Sequence, residues 1–251
     1  METLAISGKG GTGKSTIAAL IIRWLKENGA KSILAVDADS NVNLNDLLGI
    51  EITETIGAIR EEMRNSISNL PGGMTKQEFL EYKIHASLVE NPTFDLIAMG
   101  RPEGPGCYCY ANNLLREILK TISSNYQYVV IDNEAGMEHL SRRTTQKIDY
   151  LVIISDPSVR GIQAAGKISR LIRELDTRVG KKLLILNRLK QEIPASLKEI
   201  IEKERLDHFS SVPEDDTLLQ MDQAGKPIWH IPDEAPAYQA IHRLMTRLMR
   251  A

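Results

Sequence analysis

The segment Gly8-Lys9-Gly10-Gly11-Thr12-Gly13-Lys14-Ser15-Thr16 lies between a short apolar run, Leu4-Ala5-Ile6, and an amphipathic one. Strand, glycine loop and helix in that order is the setting a phosphate-binding loop requires. Glycines let backbone N–H groups turn inward around phosphate oxygens, and the following helix adds its positive end. Lys14 would neutralise the β- and γ-phosphates, and the Ser15 hydroxyl would ligate Mg²⁺. The expected nucleotide-binding set is Gly10, Gly11, Thr12, Gly13, Lys14, Ser15 and Thr16, and the expected ligand is a nucleoside triphosphate. Gly8-x-Gly10-x-x-Gly13 also fits the dinucleotide fingerprint, with Asp37 and Asp39 where a ribose-binding acid would stand. That turn, however, needs neither Lys14-Ser15 aimed at phosphates nor the acid at Asp132 described next.

Three further constellations could carry chemistry. The apolar run Tyr128-Val129-Val130-Ile131 ends on Asp132, where a carboxylate holds a Mg²⁺-bound water opposite Ser15. Asn133-Glu134-Ala135-Gly136 follows as a switch loop, with the Gly136 N–H able to approach the γ-phosphate. Asn187 closes the run Leu183 to Leu186, and its amide can pair with a purine edge. The sequence Asn187-Arg188-Leu189-Lys190 lacks the aspartate that would accept from guanine, so ATP is expected over GTP. Cys107 and Cys109 are the only cysteines and stand two apart. In an extended segment such residues face one side, so both sulfurs could hold one ion. A disulfide across that spacing would be strained, and a helix starting near Ala111 would lower both thiol pKa values. Two thiolates leave a site incomplete, whereas a twofold dimer supplies four, enough for Zn²⁺, Ni²⁺ or an iron–sulfur cluster. The five histidines form no cluster, and His139 reads as a helix-start contact rather than a ligand.

These residues need a frame. Helical spacing predicts a helix over Thr16 to Asn28, closed by Gly29, and Ser32 to Val36 reads as a strand leading into Asp37-Ala38-Asp39. Leu44 to Leu48, Thr53 to Met63 and Thr75 to Val89 read as helical, around a break at Pro71-Gly72-Gly73. Strands are expected at Phe94 to Met99, Tyr128 to Ile131, Tyr150 to Ile154, Lys182 to Leu186 and Phe209 to Val212. Between and after them come helices at Asn112 to Ser123, Val159 to Asp176, Ala195 to Arg205, Thr217 to Gln223 and Ala235 to Met249. Regular alternation implies an α/β fold of three layers, a P-loop NTPase with a mostly parallel sheet flanked by helices on both faces. One domain spanning 1–251 is the simplest organisation, and 53–91 has no assigned chemistry.

With 251 residues and 42% hydrophobic content, the chain suits an ordinary globular core. A formal net charge of -2 predicts no broad attraction to nucleic acid or anionic lipid. The first strand begins almost at Met1, leaving no room for a signal, and two cysteines make no disulfide framework. A cytoplasmic protein is expected. In the last predicted helix Ala237, Ile241, Leu244 and Leu248 form one stripe, read as packing on the sheet rather than on a membrane.

Lys9, just after the first glycine, makes the loop resemble the deviant Walker A loop of the MinD, ParA, nitrogenase iron protein and Mrp ATPases. That resemblance implies that Lys9 reaches across a twofold interface to the partner's nucleotide. It puts Asp39 beside the attacking water and gives Asp37 a supporting role to metal or loop. Lys9, Lys14 and Asp39 are then the expected catalytic set. It also places Pro213 and Glu214, in Pro213-Glu214-Asp215, where relatives hold adenine through backbone groups. Gly100 to Cys109, together with Asp132 to His139, closely resembles the CooC/AcsF family. These are accessory ATPases for nickel insertion into carbon monoxide dehydrogenase or acetyl-CoA synthase. The resemblance runs over nearly the whole chain and implies a homodimer dependent on nucleotide and metal. Cys107 and Cys109 of each subunit would meet on the twofold axis and share Ni²⁺ or Zn²⁺. The alternatives are an iron–sulfur carrier or reductase of the Mrp or nitrogenase iron protein type, and a ParA/MinD-type positioning ATPase.

Overall fold

The computed structural model describes residues 1–66, 73–101, 109–134, 147–174 and 178–250. Seven strands form one sheet: β1 (Glu2–Gly8), β2 (Ile33–Asp37), β3 (Asp95–Ala98), β4 (Tyr128–Asp132), β5 (Lys147–Ser155), β6 (Arg178–Leu189) and β7 (His208–Pro213). Their order is β3-β2-β4-β1-β5-β6-β7, and every neighbouring pair runs parallel. Continuous Val, Ile and Leu runs suit strands that are covered on both faces. The side-chain alternation is plain in the cores. Leu4, Ile6, Ile33, Ala35, Val130, Val152 and Ile154 pack on one face, whereas Ala5, Leu34, Val36, Val129, Ile131, Leu151 and Ile153 pack on the other.

Helices α1 (Lys14–Glu27), α2 (Leu44–Leu48), α8 (Asp216–Gln223) and α9 (Pro236–Arg250) cover the first face, through residues such as Leu20, Leu44, Met221 and Leu244. Helices α3 (Ile56–Ser66), α5 (Cys109–Ile122), α6 (Val159–Glu174) and α7 (Ala195–Lys203) cover the other. Helix α4 (Lys76–Ser87) packs beside α3. The three-layer expectation is therefore met. The stripe of the last helix is also met as read: Ala237, Ile241, Leu244 and Leu248 are buried against α1 and β7. Among the described residues no helix is long and apolar enough to cross a membrane.

Several boundaries move, each for a physical reason. The β5–β6 ladder continues through polar residues, pairing Lys147 with Arg178 and Tyr150 with Lys181, so both strands start earlier than their apolar stretches. Backbone pairing needs no apolar side chain at a strand's wet end. Helix α3 starts after Thr55, whose hydroxyl accepts from the Ala58 N–H, three residues later than expected. Val89 leaves the helix and forms an antiparallel bridge with Leu96. The largest consequence is at α5, which already includes Cys109, ahead of the expected start near Ala111 or Asn112.

Candidate functional site

Because all seven strands run one way, their C-terminal ends gather along a single edge of the sheet. Gly8, Asp37, Asp132, Ser155 and Pro213 all end strands there. β1 lies between β4 and β5, so the glycine loop that follows it occupies the centre of that edge.

The loop is held from outside. The Thr12 hydroxyl donates to the Lys9 carbonyl at 2.8 Å. Asn187 Nδ2 donates to the Thr12 carbonyl at 2.8 Å, and Arg188 Nη1 donates to the Gly11 carbonyl at 3.2 Å. Gly13 enters α1 with φ 87°, and a Cβ there would stand 2.4 Å from Asn187 Nδ2. Glycine is thus required twice over at this position, for its backbone angle and for the close approach of β6. Lys14 is buried at the first turn of α1, while Lys9, Gly10 and Gly11 are exposed.

Two buried acids face each other across β2 and β4, where Asp37 pairs in register with Asp132. The Asp37 carboxylate accepts backbone N–H groups of Asp39 (3.0 Å), Asn43 (2.9 Å) and Leu44 (2.9 Å). Burial pushes its pKa up, and those three donors pull it back. Its observed work is to fold the loop after β2. Asp39 is half-buried, and its Oδ1 accepts the Asn41 N–H at 2.8 Å. The Ser40 hydroxyl donates to Glu134 Oε1 at 3.2 Å, tying this loop to the segment after Asp132.

Asp132 is 1% exposed, and its pKa is pushed up to about 7. Burial is the main cause, with Asp37 and Asp39 adding to it; the Ser15 hydroxyl and Lys14 act in the opposite sense. Among the described residues Asp132 Oδ1 has no hydrogen-bond partner. An orphaned carboxylate oxygen beside a hydroxyl and a buried lysine is a donor set that fits a hard, oxygen-seeking cation with its water.

Beside the loop, a cavity of about 270 Å³ is lined by Gly13, Thr16, Asn187, Pro213, Glu214 and Leu218, among others. The base-binding residues expected from sequence are thus brought together next to the phosphate loop. Two neighbours escaped sequence reasoning. Asp215 caps α8 by accepting from Thr217 (2.9 Å) and Leu218 (3.3 Å), and its other oxygen accepts the Ala237 N–H of α9 at 2.8 Å. The run Asp215-Asp216-Thr217 is an N-cap pattern and could have signalled the first half of that role. Arg188 adopts φ 59°, and no sequence pattern signals it.

The metal expectation meets less structure. Cys107, Gly136 and His139 lie outside the described residues. Cys109 is helical, within α5, so the premise of an extended segment carrying both cysteines does not hold at Cys109. Among the described residues no group of three or more His, Cys, Asp and Glu could hold a metal ion.

A parallel sheet with a glycine loop over its central strand and an acid ending the next strand defines a P-loop nucleotide hydrolase. The chain belongs to the AAA domain family, whose profile matches residues 1–185, and it is a P-loop ATPase of the MinD/ParA group. It is 39% identical to an ATP-binding protein of Methanocaldococcus jannaschii over 248 residues, covering 98% of each chain. It is 31% identical to the carbon monoxide dehydrogenase accessory protein CooC of Rhodospirillum rubrum, covering 98% of this chain and 95% of that one. The MinD cell division protein of Aquifex aeolicus superposes with a TM-score of 0.71 at 25% identity, covering 100% of this chain and 98% of that one.

Proposed function

We propose that this ATPase is a nickel-delivery accessory protein, a single domain over 1–251 that works as a homodimer and serves a carbon monoxide dehydrogenase or acetyl-CoA synthase. The observation that carries the reading is the likeness to CooC over almost the full length of both chains. A Cys-x-Cys pair after β3, its second cysteine within α5, agrees with it. Ni²⁺ or Zn²⁺ is the cargo, held by Cys107 and Cys109 of two subunits.

In the ATP site the residues divide the work. Gly10 to Thr16 cradle the phosphates and Lys14 balances their charge. Mg²⁺, when bound, neutralises charge on the β- and γ-phosphates. Ser15 would hold it directly, and Asp132 would hold one of its waters. Asp39 orients the attacking water, and Asp37 keeps the loop that carries Asp39 in place. Asn187, Pro213 and Glu214 take adenine; one Asn187 amide hydrogen is already spent on Thr12, leaving the other for the base. Lys9 reaches the partner's nucleotide. The approach of the two subunits then sets both the closure over ATP and the spacing of the sulfurs, so nucleotide changes metal affinity.

The likeness to MinD supports a second reading, a positioning ATPase, which would have no use for paired thiols. Metal analysis and visible spectra of anaerobically purified protein, with Cys107→Ala and Cys109→Ala alongside, separate the readings. Nickel or zinc near one per dimer, lost in both variants, supports delivery. A brown, thiol-dependent iron chromophore would transfer the protein to the iron–sulfur carriers, and metal content indifferent to both cysteines would return it to positioning.

A further inference from the structure

We propose that Arg188 is a positioning residue for the phosphate loop, holding it in its phosphate-ready shape before nucleotide arrives. The inference rests on residues 8–16 being that loop; it is independent of the metal and the client. In a trans peptide the carbonyl of one residue and the N–H of the next point in opposite directions, and no cis peptide occurs among the described residues. Arg188 draws the Gly11 carbonyl outward, which turns the Thr12 N–H the other way. Asn187 does the same to the Thr12 carbonyl and hence to the Gly13 N–H. The Thr12 hydroxyl does so to the Lys9 carbonyl and the Gly10 N–H. Three loop carbonyls are thus held, one by the loop's own Thr12 hydroxyl and two by groups that adjacent residues at the end of β6 supply.

The backbone at Arg188 agrees with this role. It sits in the left-handed region at φ 59°, where the β6–β7 pairing shifts register between Leu186 and Leu189. A non-glycine residue there is strained. Asn187 Oδ1 accepts the Arg188 N–H at 3.0 Å, so the turn is tied to the side chain that holds Thr12. The turn returns the guanidinium to the loop.

The rival role is direct contact with the nucleotide base, since Arg188 also lines the base cavity. Two readouts separate them. Arg188→Gly suits the backbone angle, and Arg188→Asn tolerates it while keeping a side chain, which controls for added backbone freedom. In nucleotide-free protein, the backbone amide resonances of residues 10–13 are expected to shift in both variants, as the loop leaves the shape the guanidinium holds. By calorimetry the Kd should rise about tenfold, by the same factor for Mg-ATP and for Mg-tripolyphosphate, which has no base. Unchanged amide resonances in the empty loop, or an affinity loss confined to ATP, overturn the proposal. So does Arg188→Asn behaving as the parent does.

Discussion

Arg23 is buried on α1, and its guanidinium is fully engaged. Nη1 donates to the carbonyls of Ile231 (2.6 Å) and Ile228 (3.4 Å), Nε donates to Glu27 at 2.7 Å, and Nη2 pairs with Asp233. Its plane lies 4.1 Å from the centre of the Tyr238 ring. The two carboxylates are partly exposed and can turn to water if the arginine goes; the Ile228 carbonyl keeps the Ile231 N–H at 3.2 Å, and the buried Ile231 carbonyl is left to bear the loss. Arg23→Met keeps the apolar stem and should cost about 1–3 kcal/mol, mainly through the orphaned Ile231 carbonyl. Urea unfolding measures it, and a loss below about 1 kcal/mol would deny the arginine this clamping role. In sequence Arg23 only closes an apolar run, because a 3.6-residue spacing shows which face is buried but not what a buried cation meets 205 residues on. The phosphate loop was legible for the opposite reason: Lys14, Ser15 and their glycines act through local backbone geometry. Asp132 was legible as an acid at a strand end, whereas its raised pKa comes mainly from burial, with Asp37 adding to it, and only the assembled sheet supplies both.

The seam between β7 and α9 shows how one element's polarity is set by another. His208 opens β7, half-buried, with Nε2 3.0 Å from the Ser211 hydroxyl, and Arg247 of α9 lies 3.6 Å above the neighbouring Phe209 ring. Burial lowers the His208 pKa below its ordinary 6.5; Arg247 pushes the same way, against Asp207 and the Ser210 backbone. The folded state therefore binds a proton less readily than the unfolded chain. Stability is retained above pH 6.5 and falls as pH drops through that value toward the lower folded pKa. His208→Gln should flatten this decline, seen as a smaller fall in Tm between neutral and mildly acidic buffer. Parallel declines in the two proteins would exclude His208 as a source. Elements themselves were mostly visible in advance, since Leu-, Ile- and Val-rich runs mark covered strands. What escaped was pairing that outlasts the apolar run, as at Lys147 with Arg178, and the helical Cys109, ahead of the expected start.

At the scale of the molecule, the exposed Lys9 poses the remaining question. Its carbonyl is fixed to Thr12, and its side chain stands in solvent beside a loop whose own lysine, Lys14, is already buried at the site. One protomer thus carries two lysines on one loop, only one of which the fold has enclosed. The exposed one can be enclosed only by something that arrives, and a second protomer bringing its own triphosphate offers the charge a lysine seeks. If so, Lys9 contributes little to binding within its own subunit and much to closure of two. Lys9→Ala should leave the Kd for Mg-ATP within about threefold while abolishing ATP-dependent dimers in sedimentation velocity. Turnover should fall with the dimer, and increasing protein concentration should not recover it, because the missing charge is part of the closed site. A variant that dimerises with ATP as the parent does would show that the second subunit meets some other surface, and the sulfur-to-nucleotide coupling drawn through this seam would go with it.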